Sequence, residues 1–124
     1  MTYSPAKSPC ADPALLAVIK THLTSPARWE ALRVLYLQEG EWTDVSAIAR
    51  KAHKPEEGIA EALQGLVAEE VIETERDGDG RRRFRLAPDD PSTIVVGRLV
   101  RESLKHLDLR QLIAARMAQT AYHL

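Results

Sequence analysis

The chain has little of three things on which many small proteins depend: cysteine, aromatic side chains and long apolar runs. Cys10 is the single cysteine, which excludes an intrachain disulfide, a zinc finger and a CxxC redox site. Aromatic residues make up 5% of the 124 residues and hydrophobic residues 44%, so we expect an aliphatic core. No apolar run approaches the roughly 20 residues that a transmembrane helix needs, so we expect no membrane partner.

The beginning of the chain lacks the basic-then-apolar layout of a signal peptide. Together with the lone cysteine, this predicts a cytoplasmic protein. Residues 1–11 contain two prolines and two serines with little apolar content, which predicts a flexible N-terminal arm.

Signals of catalysis and of metal binding are missing as well. There is no glycine-rich phosphate loop and no nucleophile elbow. The histidines show no metal-ligand spacing among themselves or with Cys10. We therefore expect no enzyme activity, no cofactor and no metal site. The net charge of -1 also excludes a general polyanion binder, so any affinity for nucleic acid must come from local patches.

What the chain does contain is a change of period between residues 43 and 86. The apolar residues of Thr43–Ala52 recur at three- and four-residue spacings, which predicts a helix that Thr43 or Asp44 can cap. His53-Lys54-Pro55 interrupts the pattern, because the residue before a proline is disfavoured in a helix. A second helix is predicted to begin near Pro55, with its buried face formed by Ile59, Ala62, Leu63, Leu66 and Val67.

Residues 71–76 and 81–86 read as two strands around the turn Asp77-Gly78-Asp79-Gly80. If Asp77 pairs with Arg81, Gly80 takes the left-handed conformation that a three-residue loop needs. One register then satisfies both the apolar face and the charges. It predicts two inner and two outer cross-strand pairs: Ile72 with Leu86, Thr74 with Phe84, Glu73 with Arg85, and Glu75 with Arg83.

This order of elements resembles the winged helix-turn-helix domain of small bacterial transcription regulators, in an ArsR- or MarR-like pattern. The resemblance is carried by Ile48-Ala49-Arg50-Lys51-Ala52, the turn, the next apolar helix and the basic hairpin. It implies a mainly α fold of the α+β kind, with a three-helix core and a β-hairpin wing. It also implies that the helix near Pro55 is the recognition helix, which enters the major groove of double-stranded DNA.

Start signals place the remaining helices. Asp12-Pro13 predicts an N-terminal helix within residues 12–24, and Ser25-Pro26 begins the winged domain of residues 25–87. The first core helix should turn Arg28 mostly outward. Trp42 is a candidate for a third short strand, and a buried loop tryptophan is the alternative. Ser92 is predicted to cap the first C-terminal helix and Asp108 to start the second.

Residues 92–124 carry more apolar side chains than a small wing domain can cover, which predicts a homodimer interface. The alternative is that these helices fold back on the first helix of the same chain. The residues predicted to form the interface are apolar positions of the first and last helices: Leu16, Ile19, Val96, Leu99, Val100, Leu104, Leu112 and Ile113.

Charge along the motif is uneven. Between Glu56 and Glu75 there are seven glutamates and no lysine or arginine, which departs from the family pattern. These glutamates are interpreted as partners of the helix dipole and a solvated face, although glutamate can accept a hydrogen bond from cytosine. The residues predicted to contact DNA are the flanking cations and the one amide suited to read adenine: Arg50, Lys51, Lys54, Gln64, Arg76, Arg81, Arg82 and Arg83.

The wing arginines have a second interpretation. Pairing with Glu73 and Glu75 would engage Arg85 and Arg83 in surface salt bridges, leaving Arg76, Arg81 and Arg82 unpaired.

A DNA-binding regulator is the first hypothesis, because of the order of the elements and the basic wing. The alternative is a winged helix that holds a protein partner through its acidic helix and its C-terminal helices and does not bind DNA.

Overall fold

Six helices and one two-stranded antiparallel sheet make up the part of the chain that the computed structural model describes, residues 12–88 and 90–122. In chain order the elements are α1 (Pro13–His22), α2 (Pro26–Leu37), α3 (Val45–Ala52), α4 (Glu56–Ala68), β1 (Ile72–Arg76), β2 (Arg82–Leu86), α5 (Pro91–Lys105) and α6 (Leu107–Tyr122). The mainly helical winged fold is therefore confirmed. The predicted flexible arm, residues 1–11, lies outside the described residues.

Side-chain oxygens cap most of the helix starts, because the first N–H groups of a helix have no partner within it. Ser25 accepts from the N–H of Arg28, and Asp44 from the N–H of Ala47. The prediction that Ser92 caps α5 is wrong. Asp90 accepts from the N–H of Ser92 instead, with Pro91 at the first helical position. A proline suits that position because the N–H it lacks would have had no helical partner.

Helices α3 and α4 end in the same way, with a left-handed residue. His53 has φ +55°, and the N–H groups of His53 and Lys54 donate back to the carbonyls of Arg50 and Ala49. These two hydrogen bonds form a Schellman motif, in which glycine commonly occupies the left-handed position. His53 therefore adopts the conformation that lets α4 turn away from α3.

The end of α4 repeats this motif with Glu70 at φ +63°. The N–H of Glu70 donates to the carbonyl of Val67, and the N–H of Val71 donates to the carbonyl of Leu66. Val71 and Leu66 are both fully buried, which adds the hydrophobic contact typical of the motif. A glutamate thus occupies a position that glycine would fill without steric cost.

The hairpin has the predicted register, with all four inner and outer pairs in place. Gly80 has φ +78°, and the N–H of Asp77 donates to the carbonyl of Arg81 at 2.9 Å. The Asp77 carboxylate accepts from the N–H groups of Arg81 and Asp79. These two hydrogen bonds, that from Arg81 foremost, lower the pKa of Asp77 below its usual range.

Thr43, and not Trp42, pairs with β2 as a third, one-residue member of this sheet. Thr43 and Phe84 exchange two backbone hydrogen bonds, of 3.0 and 2.7 Å. Trp42, one residue earlier, is half-buried against the outer face of the hairpin. The single bridge ties the start of α3 to the wing.

The core is mostly aliphatic, as the composition predicts. Leu15, Leu32, Leu63 and Leu99, from α1, α2, α4 and α5, have no exposed surface. Five of the eight predicted dimer residues are buried in this same core, as intrachain packing requires: Ile19, Val96, Leu99, Val100 and Ile113. Leu16 and Leu104 are exposed and Leu112 is half-buried. The dimer itself stays a prediction.

Arg28 does not point outward, contrary to the sequence interpretation. Its side chain is only 15% exposed and pairs with Glu69 of the α4 C-terminus at 2.7 Å.

None of the described helices is long and apolar enough to cross a membrane.

Candidate nucleic-acid interface

Three cations lie on the side of the helix-turn-helix where α3 ends. Arg50 and Lys51 are in the last turn of α3, where positive charge meets the negative end of the helix dipole, and Lys54 lies in the turn. All three side chains are exposed. Among the described residues none of them has an ion-pair partner, so their charge is available to a polyanion.

Helix α4, the recognition helix implied by the resemblance, shows an acidic line to solvent. Glu57, Glu61 and Gln64 are exposed and spaced four and three residues apart, which puts them on one face. Glu56 and Glu57 occupy the first turn, where carboxylates meet the positive end of the dipole. No ion pair engages Glu56, Glu57 or Glu61 within the described chain. The face is therefore solvated and negative, with Gln64 as its neutral reading group.

The wing tip brings positive charge back. The Arg81 side chain is 75% exposed, and its Nη1 lies 4.0 Å from Asp44 Oδ2. Arg76 is exposed and donates from Nη1 to the carbonyl of Gly80 at 3.2 Å. Arg82 is exposed and forms no ion pair with the residues that the structure describes. The tip therefore presents three cations, of which Arg81 is not unpaired as the sequence interpretation expected, because it lies within ion-pair distance of Asp44.

The outer face of the wing neutralises itself. Arg83 Nη2 donates to Glu75 Oε1 at 2.5 Å, and Arg85 Nη2 lies 3.5 Å from Glu73 Oε2. Trp42 covers this face, with its ring centroid 4.4 Å from the Arg85 guanidinium carbon and 5.9 Å from that of Arg83. Arg83, one of the residues predicted to contact DNA, is therefore held by a glutamate and an aromatic ring.

The contact with Trp42 was missed in the sequence. An arginine over a tryptophan face is attracted by the ring quadrupole, which adds about 0.5 to 1 kcal/mol at exposed sites. The available signal was that Trp42 is a candidate for a third short strand of a sheet whose second strand is rich in arginine. Within residues 12–88 and 90–122, no group of three or more His, Cys, Asp or Glu side chains is placed to hold a metal ion.

No protein-family model matches the chain, and no curated protein does. Solved structures do. A MarR-family transcriptional regulator from Silicibacter pomeroyi has a TM-score of 0.55 and 19% identity, over 90% of this chain and 66% of that one. A ZitR variant from Lactococcus lactis has 0.55 and 18%, over 73% and 60%.

A MepR variant from S. aureus bound to an oligodeoxyribonucleotide has a TM-score of 0.58 and 15% identity, over 82% of this chain and 71% of that one. The chain spans less than two thirds of the length of the first two structures. At such identities the likeness concerns the fold. The chain has the winged helix-turn-helix fold, extended by helices at both ends, that is also the fold of the MarR-family regulator among these structures.

Proposed function

We propose that the chain is a homodimeric regulator of transcription that binds double-stranded DNA and has no enzymatic activity. The observation that carries this proposal is two groups of exposed cations that flank α4 in the chain: Arg50, Lys51 and Lys54 before it, and Arg76, Arg81 and Arg82 after it. Cations that neutralise phosphates release counterions, which supplies much of the affinity for DNA. The MepR variant bound to an oligodeoxyribonucleotide shares the fold and supports the proposal of DNA binding by this chain.

In this proposal the acidic face of α4 has a selective role. A carboxylate accepts hydrogen bonds and donates none, so Glu57 and Glu61 are compatible only with base edges that present amino groups, such as cytosine. Gln64 is suited to adenine, which offers both a donor and an acceptor. Phosphate contacts at the two flanks hold the helix in place, and the α4 side chains limit the sequences that it tolerates.

The proposal is tested by fluorescence anisotropy with genomic duplexes over a range of salt concentrations. Replacing Arg81 and Arg82 with alanine should weaken binding and reduce the slope of log K against log salt by about 2 for each protomer bound, or about 4 for a dimer, since each phosphate contact contributes roughly 0.9. The matched control is R101A, which removes an exposed arginine from α5. Affinity that is unchanged in the double variant, or no binding by the wild type at micromolar protein, counts against DNA binding.

The dimer in this proposal uses the helices at the two ends of the chain. Leu16, Leu104 and Leu107 are 38%, 63% and 60% exposed, although leucine is usually buried. Leu16 also lines a groove with Leu112 between α1 and α6. Covering these side chains with a second copy would remove them from water, and sedimentation velocity tests whether the protein in solution is a dimer.

The exposed, unpaired glutamates of α4 favour a second candidate function, a module that binds a protein rather than DNA. A basic partner would satisfy Glu56, Glu57 and Glu61, whereas phosphates repel them. Affinity capture from lysate after nuclease treatment separates the two functions. A protein that survives nuclease and is lost in a triple glutamine variant of these glutamates supports the module, and capture of DNA from untreated lysate with no protein partner excludes it.

A further inference from the structure

Three helix ends meet at the Glu69 carboxylate, which follows the last residue of α4. Oε1 is 2.6 Å from Nδ1 of His22, the last residue of α1. Oε2 accepts from Nη1 of Arg28, in the first turn of α2, at 2.7 Å. A carboxylate only accepts hydrogen bonds, so Nδ1 of His22 is the nitrogen that carries the proton. The two oxygens of one side chain therefore hold two other helices.

Arg28 closes the triangle. Its Nη1 also donates to the carbonyl of His22 at 3.3 Å, so the guanidinium touches the C-terminal end of α1 as well as Glu69. The side chains of His22, Arg28 and Glu69 are only 10%, 15% and 31% exposed. Burial alone would raise the pKa of Glu69, but the hydrogen bonds from His22 and Arg28 outweigh it and hold that pKa below its usual value.

Gly65 makes room for this arrangement. It lies one turn before Glu69 on the same face of α4, and a Cβ built on it would be 2.1 Å from Nη2 of Arg28. Glycine inside a helix is unfavourable relative to alanine. Gly65 lies where the Arg28 guanidinium passes close to the α4 backbone, and a residue with a Cβ would obstruct that approach. The sequence therefore carries a glycine at the position where the contact between Arg28 and Glu69 needs one.

The position of these residues connects two parts of the molecule. At its other end α1 is tied to α5 by the ion pair of Asp12 with Arg98, and α1 and α5 pack together. Helix α4 carries Gln64 and lies between the two cation groups in the chain. The angle between α1 and α4 therefore relates the helices proposed for dimerisation to the helix proposed to read DNA.

We propose that Glu69, His22 and Arg28 are positioning residues that fix the angle of α4 relative to α1, and thereby the placement of two α4 helices on one duplex. The DNA part of this inference rests on the proposed function. None of the three residues needs to touch DNA. Their effect on binding is transmitted through the orientation of α4.

The angle is measured on the DNA-free full-length protein by residual dipolar couplings of the α1 and α4 amides. E69Q leaves one acceptor oxygen for the two donors of His22 and Arg28, and H22A removes a donor, so both should change the α4 orientation or broaden it. H22N should restore the wild-type couplings, because the asparagine Nδ2 takes the place of the histidine Nδ1. The control is E30Q, which breaks the α2 surface pair with Arg33 and should change nothing.

Couplings that fit the wild-type angle in both E69Q and H22A would overturn the inference, whatever their effect on stability. The DNA arm uses anisotropy at a temperature where every variant is folded. E69Q and H22A should bind a duplex about 5- to 150-fold more weakly, the range of typical coupling between sites, and H22N should bind like the wild type. Equal affinity despite a changed angle refutes the link to DNA. A wild type that binds no duplex refutes the proposed function, and the couplings alone then decide the positioning role.

Discussion

Replacing Gly65 with alanine should destabilise the protein, although the same change usually stabilises a helix. Alanine in a helix interior is favoured over glycine by about 1 kcal/mol. Here the new methyl group would lie 2.1 Å from Nη2 of Arg28, so the guanidinium has to shift, and we expect the shift to break its hydrogen bond to Glu69. Hydrogen bonds to charged groups contribute about 1.5 to 3 kcal/mol each. Arg28 makes one short bond, to Glu69, and a longer one to the carbonyl of His22.

Loss of the short bond, less the gain in helix propensity, predicts a net loss of about 0.5 to 2 kcal/mol in the free energy of unfolding, or roughly 2 to 8 °C in Tm for a chain of this size. Urea unfolding at one fixed protein concentration measures it. Gly58 provides a matched control in the same helix, because nothing lies within 4 Å of its Cβ position. G58A should therefore be neutral or stabilising by up to about 1 kcal/mol.

A double-mutant cycle identifies the cause. In an R28A background the obstacle is gone, so G65A should become as favourable as G58A. Should G65A stabilise the wild-type protein, or destabilise it equally with and without Arg28, the reasoning about this contact would be refuted.

Three further predictions concern other positions. Glu69 has a lowered pKa in the folded state, so its stabilising contribution is present above the ordinary glutamate pKa of about 4.3 and is lost as pH falls below it; urea unfolding of E69Q should lack this part of the acid dependence. E70G should stabilise by about 0.5 to 1 kcal/mol in urea, because glycine adopts φ +63° without strain. L104E should leave the fold intact and weaken self-association in sedimentation velocity, because Leu104 is 63% exposed.

The hairpin is the part of the fold that the sequence predicts in most detail. Its register follows from local signals, namely a period of two, a glycine at the left-handed position and charges that match across the strands. The same locality makes the turn at His53-Lys54-Pro55 predictable. The cap of α5 was misplaced by two residues, since Asp90 and Ser92 are both good caps and Pro91 between them decides the choice.

Contacts between distant residues are what the sequence does not predict. Arg28 and Glu69 are 41 residues apart, and on an isolated α2 the arginine looks like an ordinary surface residue. Gly65 was the available clue, but only the approach of α2 to α4 explains it. The candidate DNA contacts follow from exposed charge on local elements, whereas Arg83 also meets Trp42, and that contact depends on how the segment before α3 lies on the sheet.

The outer rungs of the wing, Glu73 with Arg85 and Glu75 with Arg83, carry no net charge. The length of the wing can therefore change independently of its charge. Adding two residues to each strand would add one more outer glutamate-arginine pair and one more inner pair. The tip cations would then lie about 7 Å farther out, since each residue adds roughly 3.4 Å, and with an uncharged inner pair the charge of the protein would not change. A related protein with a longer wing of this kind could place its tip cations farther from the core and keep the same net charge.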